Sequence, residues 1–278
     1  MLDYIKSLCS KYALVPKSWQ GQNFLIDQKV LDRIISVSGL KKEDIILEVG
    51  PGFGILTKEL AKRVKKVITV EIEEKLVKAL KNILKDYKNV EIMQGDILKI
   101  SNVQFLIPNY KIVANIPYSI TAHFLRKFLE GDAKPQEMIL LVQKEVAERI
   151  IAKNKDASLL SVSVQFYGQP EIIDFVSSSS FYPEPEVDSA IIKIGKIGKG
   201  FSQNLSPEEI KSFFRIVKIG FSSRRKQLHN NLSAGLRLES EKIKEIFGNL
   251  GFNQQIRAQE LSIEDWVRLA KEINSKKY

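Results

Sequence analysis

The tetrapeptide Asn115-Ile116-Pro117-Tyr118 carries the most specific chemistry in the sequence. An amino nitrogen attached to an aromatic base is a poor nucleophile, because its lone pair is delocalised into the ring. Two acceptors for its two hydrogens would favour tetrahedral geometry, and the Asn115 side-chain oxygen and the Ile116 carbonyl are suited to this task. Pro117 fixes the backbone that aims them, and Tyr118 offers an aromatic face to a flipped-out base. The tetrapeptide therefore predicts a site that activates the amino group of a base.

A glycine-rich segment lies upstream, between an apolar strand-like run and a helix-like run: Glu48-Val-Gly50-Pro-Gly52-Phe-Gly54. Glycine permits a tight turn and lets the backbone approach a ligand closely. The spacing differs from the G-x-G-x-x-G of dinucleotide enzymes, and no Lys-Ser/Thr pair follows, so a phosphate loop is not expected. The pattern resembles that of class I S-adenosylmethionine methyltransferases, which implies that the three glycines contact this cofactor.

Two acidic residues end the next two strand-like runs. Glu71 can accept both hydroxyls of a ribose, and Asp96 can accept the amino hydrogens of the cofactor's adenine. Because ligands of parallel sheets bind at the carboxyl ends of the strands, the glycine turn and both acids are expected at one edge. The apolar residues that follow the acids, Ile72 and Ile97, are assigned to the same cofactor site, and so is Asn115.

The elements that position these residues alternate between strand-like and helix-like segments from about Lys29 to Gln143. This alternation predicts an α/β fold with a mostly parallel sheet covered by helices. Two further segments, Ser161–Phe166 and Ala190–Ile194, are expected to complete the sheet as strands, with an antiparallel edge.

A short basic segment rich in glycine, Gly195–Gly200, marks a predicted domain boundary. Beyond it only helical periodicity is present, and the expected helices are Ser206–Ile219, Lys226–Leu232, Glu239–Leu250 and Ile263–Ile273. We therefore expect a sheet domain over residues 1–196 and a smaller all-α domain over residues 201–278.

The charge distribution indicates a polyanionic partner. The formal net charge is +10, and the segment from Lys211 to Leu238 has seven basic residues and no acidic one. A run without counter-charge favours a phosphate-binding surface, although a solvated face remains an alternative for any single residue. The candidate RNA-binding residues are Lys211, Arg215, Lys218, Arg224, Arg225, Lys226 and Arg149. Arg149 has nearby glutamates, so ion pairs are an equally good interpretation for it.

Composition limits the classes of protein to which the chain can belong. The amino-terminal segment has no sustained apolar stretch, and no apolar run is long enough to span a bilayer. The single cysteine, Cys9, excludes an internal disulfide and fits a reducing compartment. The histidines and this cysteine lack the spacing of metal ligands. We therefore expect a cytoplasmic protein with no membrane segment and no metal site.

Several further motifs resemble those of the small-subunit ribosomal RNA adenine N6-dimethyltransferases, the KsgA family, and the resemblance covers nearly the whole chain. The motifs are Gly21–Leu25, Val142–Arg149, Phe181–Ser189 and Phe221–Leu232. The resemblance implies that Asn23 and Leu25 contact S-adenosylmethionine. It also implies that Phe181 forms the second wall of the adenine pocket.

As a whole, the resemblance implies a Rossmann-like class I methyltransferase domain followed by a helical RNA-binding domain. The implied activity is methyl transfer from S-adenosylmethionine to N6 of adenines in small-subunit ribosomal RNA during ribosome biogenesis. Two adjacent adenosines would each be dimethylated. The implied substrate is a pre-assembled small subunit, and the implied enzyme is a monomer.

Three alternatives differ from this interpretation in substrate or class. A DNA adenine methyltransferase would need a larger sequence-reading domain than the helical segment supplies. A large-subunit rRNA methyltransferase of the antibiotic-resistance type would lack the motif Phe221–Leu232. A non-catalytic RNA-binding assembly factor could keep the fold, but Asn115, Tyr118, Glu71 and Asp96 are all intact.

Overall fold

A computed structural model describes residues 1–17, 21–100 and 109–275 of the chain. Its contacts divide the chain into two compact units. The first comprises Met1–Ala147 and Gln169–Ile197, and the second comprises Glu148–Gly168 and Gly198–Tyr278. The sheet domain expected over residues 1–196 thus includes a segment, 148–168, whose contacts group it with the helical unit.

The first unit is built on a seven-stranded sheet. The strands of the first unit, in chain order, are β1 Phe24–Leu25, β2 Ile45–Val49, β3 Lys66–Glu71, β4 Val90–Gln94, β5 Tyr110–Asn115, β6 Met138–Gln143, β7 Gln169–Val176, β8 Phe181–Tyr182 and β9 Ser189–Gly195. β1 and β8 form a separate antiparallel pair, and the others follow the order β4-β3-β2-β5-β6-β9-β7. Pairing is parallel from β4 to β6, whereas β9 is antiparallel to both β6 and β7. The predicted α/β sheet with an antiparallel edge is confirmed.

Helices precede and connect these strands. They are α1 Leu2–Lys11, α2 Gln28–Val37, α3 Ile55–Ala61, α4 Glu74–Ile83, α5 Thr121–Glu130 and α6 Lys144–Ile151. The first five residues of β6, Met138 to Val142, are all buried, as is typical of a strand covered on both faces. Among the described residues, no helix is long and apolar enough to cross a bilayer.

The second unit is helical. Its helices are α7 Leu159–Tyr167, α8 Pro207–Gly220, α9 Leu228–Leu236, α10 Ser240–Leu250 and α11 Ile263–Ser275. α8 begins with a reciprocal cap in which Ser206 and Glu209 each bond the backbone N–H of the other, as the sequence predicts. At the end of α8, a Cβ atom on Gly220 would overlap the ring of Trp266. Glycine there allows α8 and α11 to pack closely.

The prediction of a strand over Ser161–Phe166 is wrong, because this segment lies in α7. The alternation of apolar and polar residues imitates a strand, but the serines act on the backbone instead. Ser158 accepts a hydrogen bond from the N–H of Ser161 at 3.2 Å and caps the helix. Ser163 donates to the carbonyl of Leu159 at 2.8 Å, one turn earlier. Local serine chemistry therefore outweighs the two-residue periodicity.

The strand that completes the sheet is β7, which the sequence reading did not predict. Its pairing with β9 is irregular between Ile172 and Asp174. Such a bulge shifts the inward and outward positions by one residue and hides the alternation.

Candidate active site

A cavity of about 590 Å³ opens at the carboxyl ends of β2, β3, β4 and β5. This edge includes the point between β2 and β5 where the strand order reverses, the usual ligand site of open α/β sheets. The volume lies in the range of roughly 300–1,000 Å³ that is common for small-molecule sites. The structure brings nine of the predicted cofactor residues to its wall: Asn23, Leu25, Gly50, Gly52, Glu71, Ile72, Asp96, Ile97 and Asn115.

Glycine shapes the turn after β2. Gly50 and Gly52 have φ values of 66° and 58°, a region that other residues rarely enter. A Cβ atom on Gly52 would lie 2.9 Å from the ring of Phe24, which lines the cavity. Gly54, the remaining predicted cofactor residue, lies outside the wall. It precedes α3 at a φ of 76°, where a Cβ atom would meet Leu80 at 3.0 Å, so its visible role is close packing.

Glu71 ends β3 and is 5 % exposed. Its carboxylate oxygens accept hydrogen bonds from the backbone N–H groups of Gly52 at 3.3 Å and Glu73 at 3.0 Å. Burial raises the pKa of Glu71, and the backbone donors act in the opposite direction. The carboxylate therefore holds the glycine turn to the end of β3. Each of its oxygens keeps acceptor capacity for a further donor.

Asp96 follows β4, where its Oδ1 accepts the N–H of Leu98 at 2.9 Å. The two isoleucines differ in exposure: Ile72 is 67 % exposed at the cavity, whereas Ile97 is buried. Apolar surface with a few fixed acceptors is the usual composition of a ligand site. This wall suits a ligand that has hydroxyl and amino groups together with a flat ring.

Asn115 ends β5, and its amide is fixed by one hydrogen bond. Nδ2 donates to the backbone carbonyl of Asn23 at 3.2 Å. Because this bond engages the donor end of the amide, Oδ1 is the end left to accept. Asn23 itself is 8 % exposed, and its Oδ1 is buried without a hydrogen-bond partner among the described residues. A buried acceptor of this kind is costly unless a ligand or water supplies the donor.

Pro117 also lines the cavity, and Gly21 packs against it. A Cβ atom on Gly21 would lie 2.9 Å from Cβ of Pro117, and Gly21 has a φ of 77°. The glycine of the first motif is thus required by the proline of the tetrapeptide.

Ile116, Tyr118 and Phe181 lie outside the wall of this cavity. Ile116 is buried, and its N–H donates to the carbonyl of Leu141 at 3.2 Å. The half-buried Tyr118 has its hydroxyl oxygen 2.6 Å from Oγ of Ser189. Burial raises the pKa of Tyr118, so the phenol stays neutral at physiological pH.

Phe181 is 2 % exposed in the hydrophobic core of the first unit. It pairs with Leu25 across the short β1–β8 ladder. Its ring presents no free face to a base in this structure, in contrast to the pocket wall that the resemblance implies.

The predicted basic residues of the second unit are all exposed. Lys211, Arg215 and Lys218 lie on one face of α8, and Arg224–Lys226 form the turn before α9. The sequence predicted that α9 begins at Lys226, but the helix begins at Leu228. Nδ2 of the buried Asn231 donates to the carbonyls of Gly220 at 2.7 Å and Ser223 at 2.9 Å, which holds the turn. In the described part of the chain, no carboxylate forms an ion pair with these six basic residues. Arg149 is exposed near the end of α6.

Sequence reasoning gave no role to Glu48, which lines the cavity from within β2. It is 1 % exposed, and its Oε2 has no hydrogen-bond partner among the described residues. Burial raises the pKa of Glu48 to about 8, and the nearby carboxyl of Glu71 adds to the rise. The signal in the sequence is an acid inside an otherwise apolar strand. Glu48 is therefore mainly protonated at neutral pH.

Replacing Glu48 by glutamine should stabilise the fold increasingly as the pH rises from about 5 to 8. In this window the unfolded chain releases the proton that folded Glu48 retains, so the parent loses stability by up to about 1.4 kcal/mol per pH unit. Glutamine has no such proton. The gap between the two melting temperatures should widen up to about pH 8 and then stay constant. A gap that is the same at pH 5 and pH 8 would contradict the assignment, and Glu145→Gln on the exposed face of α6 is the control.

Lys127 of α5 is a second residue that the sequence analysis missed. Its Nζ donates to three backbone carbonyls of the segment after β4: Ile97 at 2.7 Å, Leu98 at 3.1 Å and Ile100 at 2.7 Å. Burial lowers the pKa of Lys127, and the nearby charge of Asp96 opposes this. The ammonium thereby holds the segment that contributes Asp96 and Ile97 to the cavity.

Lys127→Met should weaken binding of S-adenosylmethionine by about tenfold or more, because hydrogen bonds from a charged donor are worth roughly 1.5–3 kcal/mol each. The segment must then be ordered by the ligand itself. Calorimetric affinity is the measurement, with the exposed Lys85→Met as a matched loss of charge. Parental affinity in Lys127→Met would remove the proposed link between α5 and the cavity.

Comparison with known proteins finds a matching family and relatives that are similar over most of the chain. The family model described as "Ribosomal RNA adenine dimethylase" matches residues 16–275. The "Ribosomal RNA small subunit methyltransferase A" of Dehalococcoides mccartyi is 43% identical over 97% of this chain and 92% of the relative. The protein of the same name from Clostridioides difficile is 38% identical over 98% of this chain and 95% of its own length.

Solved structures are similar over most of the chain. A dimethyladenosine transferase from Plasmodium falciparum aligns with a TM-score of 0.78 and 27% identity, covering 91% of this chain and 98% of the other. The 23S rRNA methyltransferase ErmE aligns with a TM-score of 0.71 and 26% identity, covering 91% of this chain and 100% of the other.

Proposed function

Because the chain belongs to the ribosomal RNA adenine dimethylase family, we propose a role for each part of its active site. The protein is an S-adenosylmethionine-dependent methyltransferase that acts on N6 of adenines in small-subunit ribosomal RNA. The large-subunit alternative is not favoured, since the similarity to ErmE is 26% in sequence, whereas relatives with the small-subunit name reach 43%.

The cavity fits the family's cofactor. Its size and the buried oxygens of Asn23 and Glu48, which have no hydrogen-bond partner among the described residues, suit a polar ligand with a flat apolar part. In our proposal Glu71 accepts hydrogen bonds from ribose hydroxyls, Asp96 accepts one from the adenine amino group, and Ile72 contacts the ring. When bound, S-adenosylmethionine supplies an electrophilic methyl group on a sulfonium.

The observation that carries the proposed mechanism is the hydrogen bond from Nδ2 of Asn115 to the carbonyl of Asn23. It leaves Oδ1 of Asn115 as the acceptor for one hydrogen of the target amino group, and the carbonyl of Ile116 accepts the other. The nitrogen lone pair is then withdrawn from conjugation with the ring. No strong base is required, because an ammonium nitrogen on a base is acidic enough to release its proton to water.

We assign the face of the target base to Tyr118, whose ring is held by the contact between its hydroxyl and Ser189. Stacking on an aromatic side chain is the common way to hold a flipped-out base. The proposal that Phe181 forms the opposite wall depends on its ring being uncovered when the base enters, since it is buried in the hydrophobic core here.

The helical segment 201–278 is proposed as the RNA-binding domain, and residues 1–196 as the catalytic domain. The basic residues of α8 and of the turn Arg224–Lys226, which form no ion pair within the described part of the chain, support this, because structured RNA is bound largely through its phosphates and shape. Arg149 is proposed as an additional phosphate contact.

Changing both Arg224 and Arg225 to alanine should weaken RNA binding and reduce the slope of log affinity against log salt by about one to two units, because up to two phosphate contacts are lost. Affinity for S-adenosylmethionine should stay at the parental value. Filter binding over a salt series measures the slope, and the exposed Lys242→Ala serves as the control. An unchanged slope would identify the turn as a solvated face.

We further propose that the substrate is the RNA of a pre-assembled small subunit, in which two adjacent adenosines are each dimethylated by a monomeric enzyme in the cytoplasm. A surface that recognises shape supports a folded substrate. Methyl transfer to unmodified small-subunit particles should then exceed transfer to the same RNA stripped of protein. Equal rates on both substrates would reject the assembled particle as the substrate.

A further inference from the structure

Phe175 is an aromatic side chain exposed at the functional edge of the sheet. It is 54 % exposed and lies one residue before the end of β7. β6 and β7 are both antiparallel to β9, and β5 is parallel to β6. The carboxyl end of β7 therefore lies at the same edge as Asn115.

Ser189 contacts the tetrapeptide and pairs with the strand that carries Phe175. Its Oγ lies 2.6 Å from the hydroxyl oxygen of Tyr118, and it pairs with Val176 across β9 and β7. Neighbouring strands are about 4.8 Å apart. Side chains alternate between the two faces of a strand, so Phe175 points to the face opposite Val176 and Ser189, at the same carboxyl edge of the sheet.

A cation accompanies the exposed ring. Nζ of Lys144 lies 5.2 Å from the centroid of the Phe175 ring. The neighbouring acids have other partners: Asp174 pairs with Arg33 at 3.7 Å, and Oδ1 of Asp188 accepts the N–H of Ser178 at 3.1 Å. The bulge before Asp174 resets the alternation of β7 just ahead of Phe175, and bulges beside active sites commonly redirect a side chain.

We propose that Phe175 and Lys144 form a binding site for a second unpaired nucleotide of the RNA substrate, at the same edge of the sheet as the adenosine held at Tyr118. The ring of Phe175 stacks on the base, and the ammonium of Lys144 contacts the adjoining phosphate. An aromatic face with a neighbouring cation is the usual combination for unpaired nucleotides. The inference rests on the proposed function, because it extends the same RNA-binding edge.

An exposed phenylalanine could also dock a protein. The nucleotide is favoured because the cation is already at the ring and because Phe175 lies at the same carboxyl edge of the sheet as Asn115. The two occupants make different demands: stacking needs an aromatic ring, whereas an apolar protein contact needs only bulk.

The test compares Phe175→Ala, Phe175→Leu and Phe175→Tyr in the full chain, with unmethylated small-subunit particles as substrate. Alanine and leucine should raise KM for the RNA by about 5- to 100-fold, the range expected for one lost stacking contact. Tyrosine should remain near the parent. In all three variants, kcat at saturating RNA and affinity for S-adenosylmethionine should be unchanged.

A second measurement reads binding directly. The fluorescence of the Phe175→Trp variant should be quenched when an unmethylated single-stranded fragment of small-subunit rRNA binds. The fluorescence of the control Gln169→Trp should not be quenched, because Gln169 is exposed at the opposite end of the same strand.

The outcomes separate the inference from the function on which it rests. If the parent transfers no methyl group to the small-subunit particles, the proposed function fails and the nucleotide site fails with it. If the parent is active and Phe175→Leu matches it, the inference alone is wrong. The inference is also wrong if Phe175→Ala weakens binding to assembled particles but not to the RNA fragment, which would indicate a protein partner.

Discussion

Replacing Asn115 by alanine is expected to slow methyl transfer by about 10²–10³-fold in single-turnover assays, comparable to the loss of one preorganised oxyanion-hole group. The variant removes the Oδ1 acceptor and the hydrogen bond from Nδ2 to the carbonyl of Asn23. RNA affinity should change little, and cofactor affinity should fall only modestly. At saturating RNA and cofactor, the observed rate measures the methyl-transfer step. Asn82→Ala, on the exposed face of α4, is the matched control.

Asn115→Asp is the sharper variant of the same test. It keeps an acceptor oxygen but cannot donate to the carbonyl of Asn23, so two oxygens would face each other where a hydrogen bond now fixes the amide. A carboxylate would also favour the charged sulfonium in the ground state. We expect the aspartate variant to be much slower than the parent. Near-parental rates in both variants would refute the role given to Asn115.

Replacing Glu71 by alanine should weaken binding of S-adenosylmethionine by about 10- to 150-fold for each charge-assisted hydrogen bond that is lost. The carboxylate has two tasks in the structure, because it faces the cavity and holds the N–H groups of Gly52 and Glu73. Asp96→Ala should also weaken binding, but by less, since Asp96 holds only its own segment.

Calorimetric titration of each variant with the cofactor measures the effect, and the melting temperature of the unliganded protein checks that the fold is retained. Glu74→Ala removes a neighbouring carboxylate that is exposed and does not line the cavity. It should bind like the parent. Parental affinity in both Glu71→Ala and Asp96→Ala would show that the cofactor site lies elsewhere.

The cofactor edge was predictable because its signals are local. The glycine turn, Glu71, Asp96 and Asn115 each follow an apolar strand-like run, and parallel strands bring their carboxyl ends together. Strand order predicted that the glycine turn and both acids share one edge, and the family resemblance implied that Asn23 and Leu25 contact the same cofactor. All of these residues except Gly54 line the cavity.

The remaining features depend on contacts between distant parts of the chain. The unpartnered oxygen of Glu48 and the three carbonyls on Lys127 result from packing that no short window encodes. Phe181 was expected to be open, but its ring is buried in the hydrophobic core of the first unit. The sequence did not indicate a role for Phe175, because the bulge in β7 hides the alternation typical of a strand.

The most direct test of the central claim is the identity and location of the modified base. The parent protein is incubated with methyl-labelled S-adenosylmethionine and with small or large ribosomal subunits that lack the modification, and the digested RNA is analysed by mass spectrometry. We predict labelled N6,N6-dimethyladenosine from the small subunit and none from the large subunit, and Asn115→Ala should yield almost none from either. Label in large-subunit RNA, or on any atom other than N6 of adenine, would contradict the account.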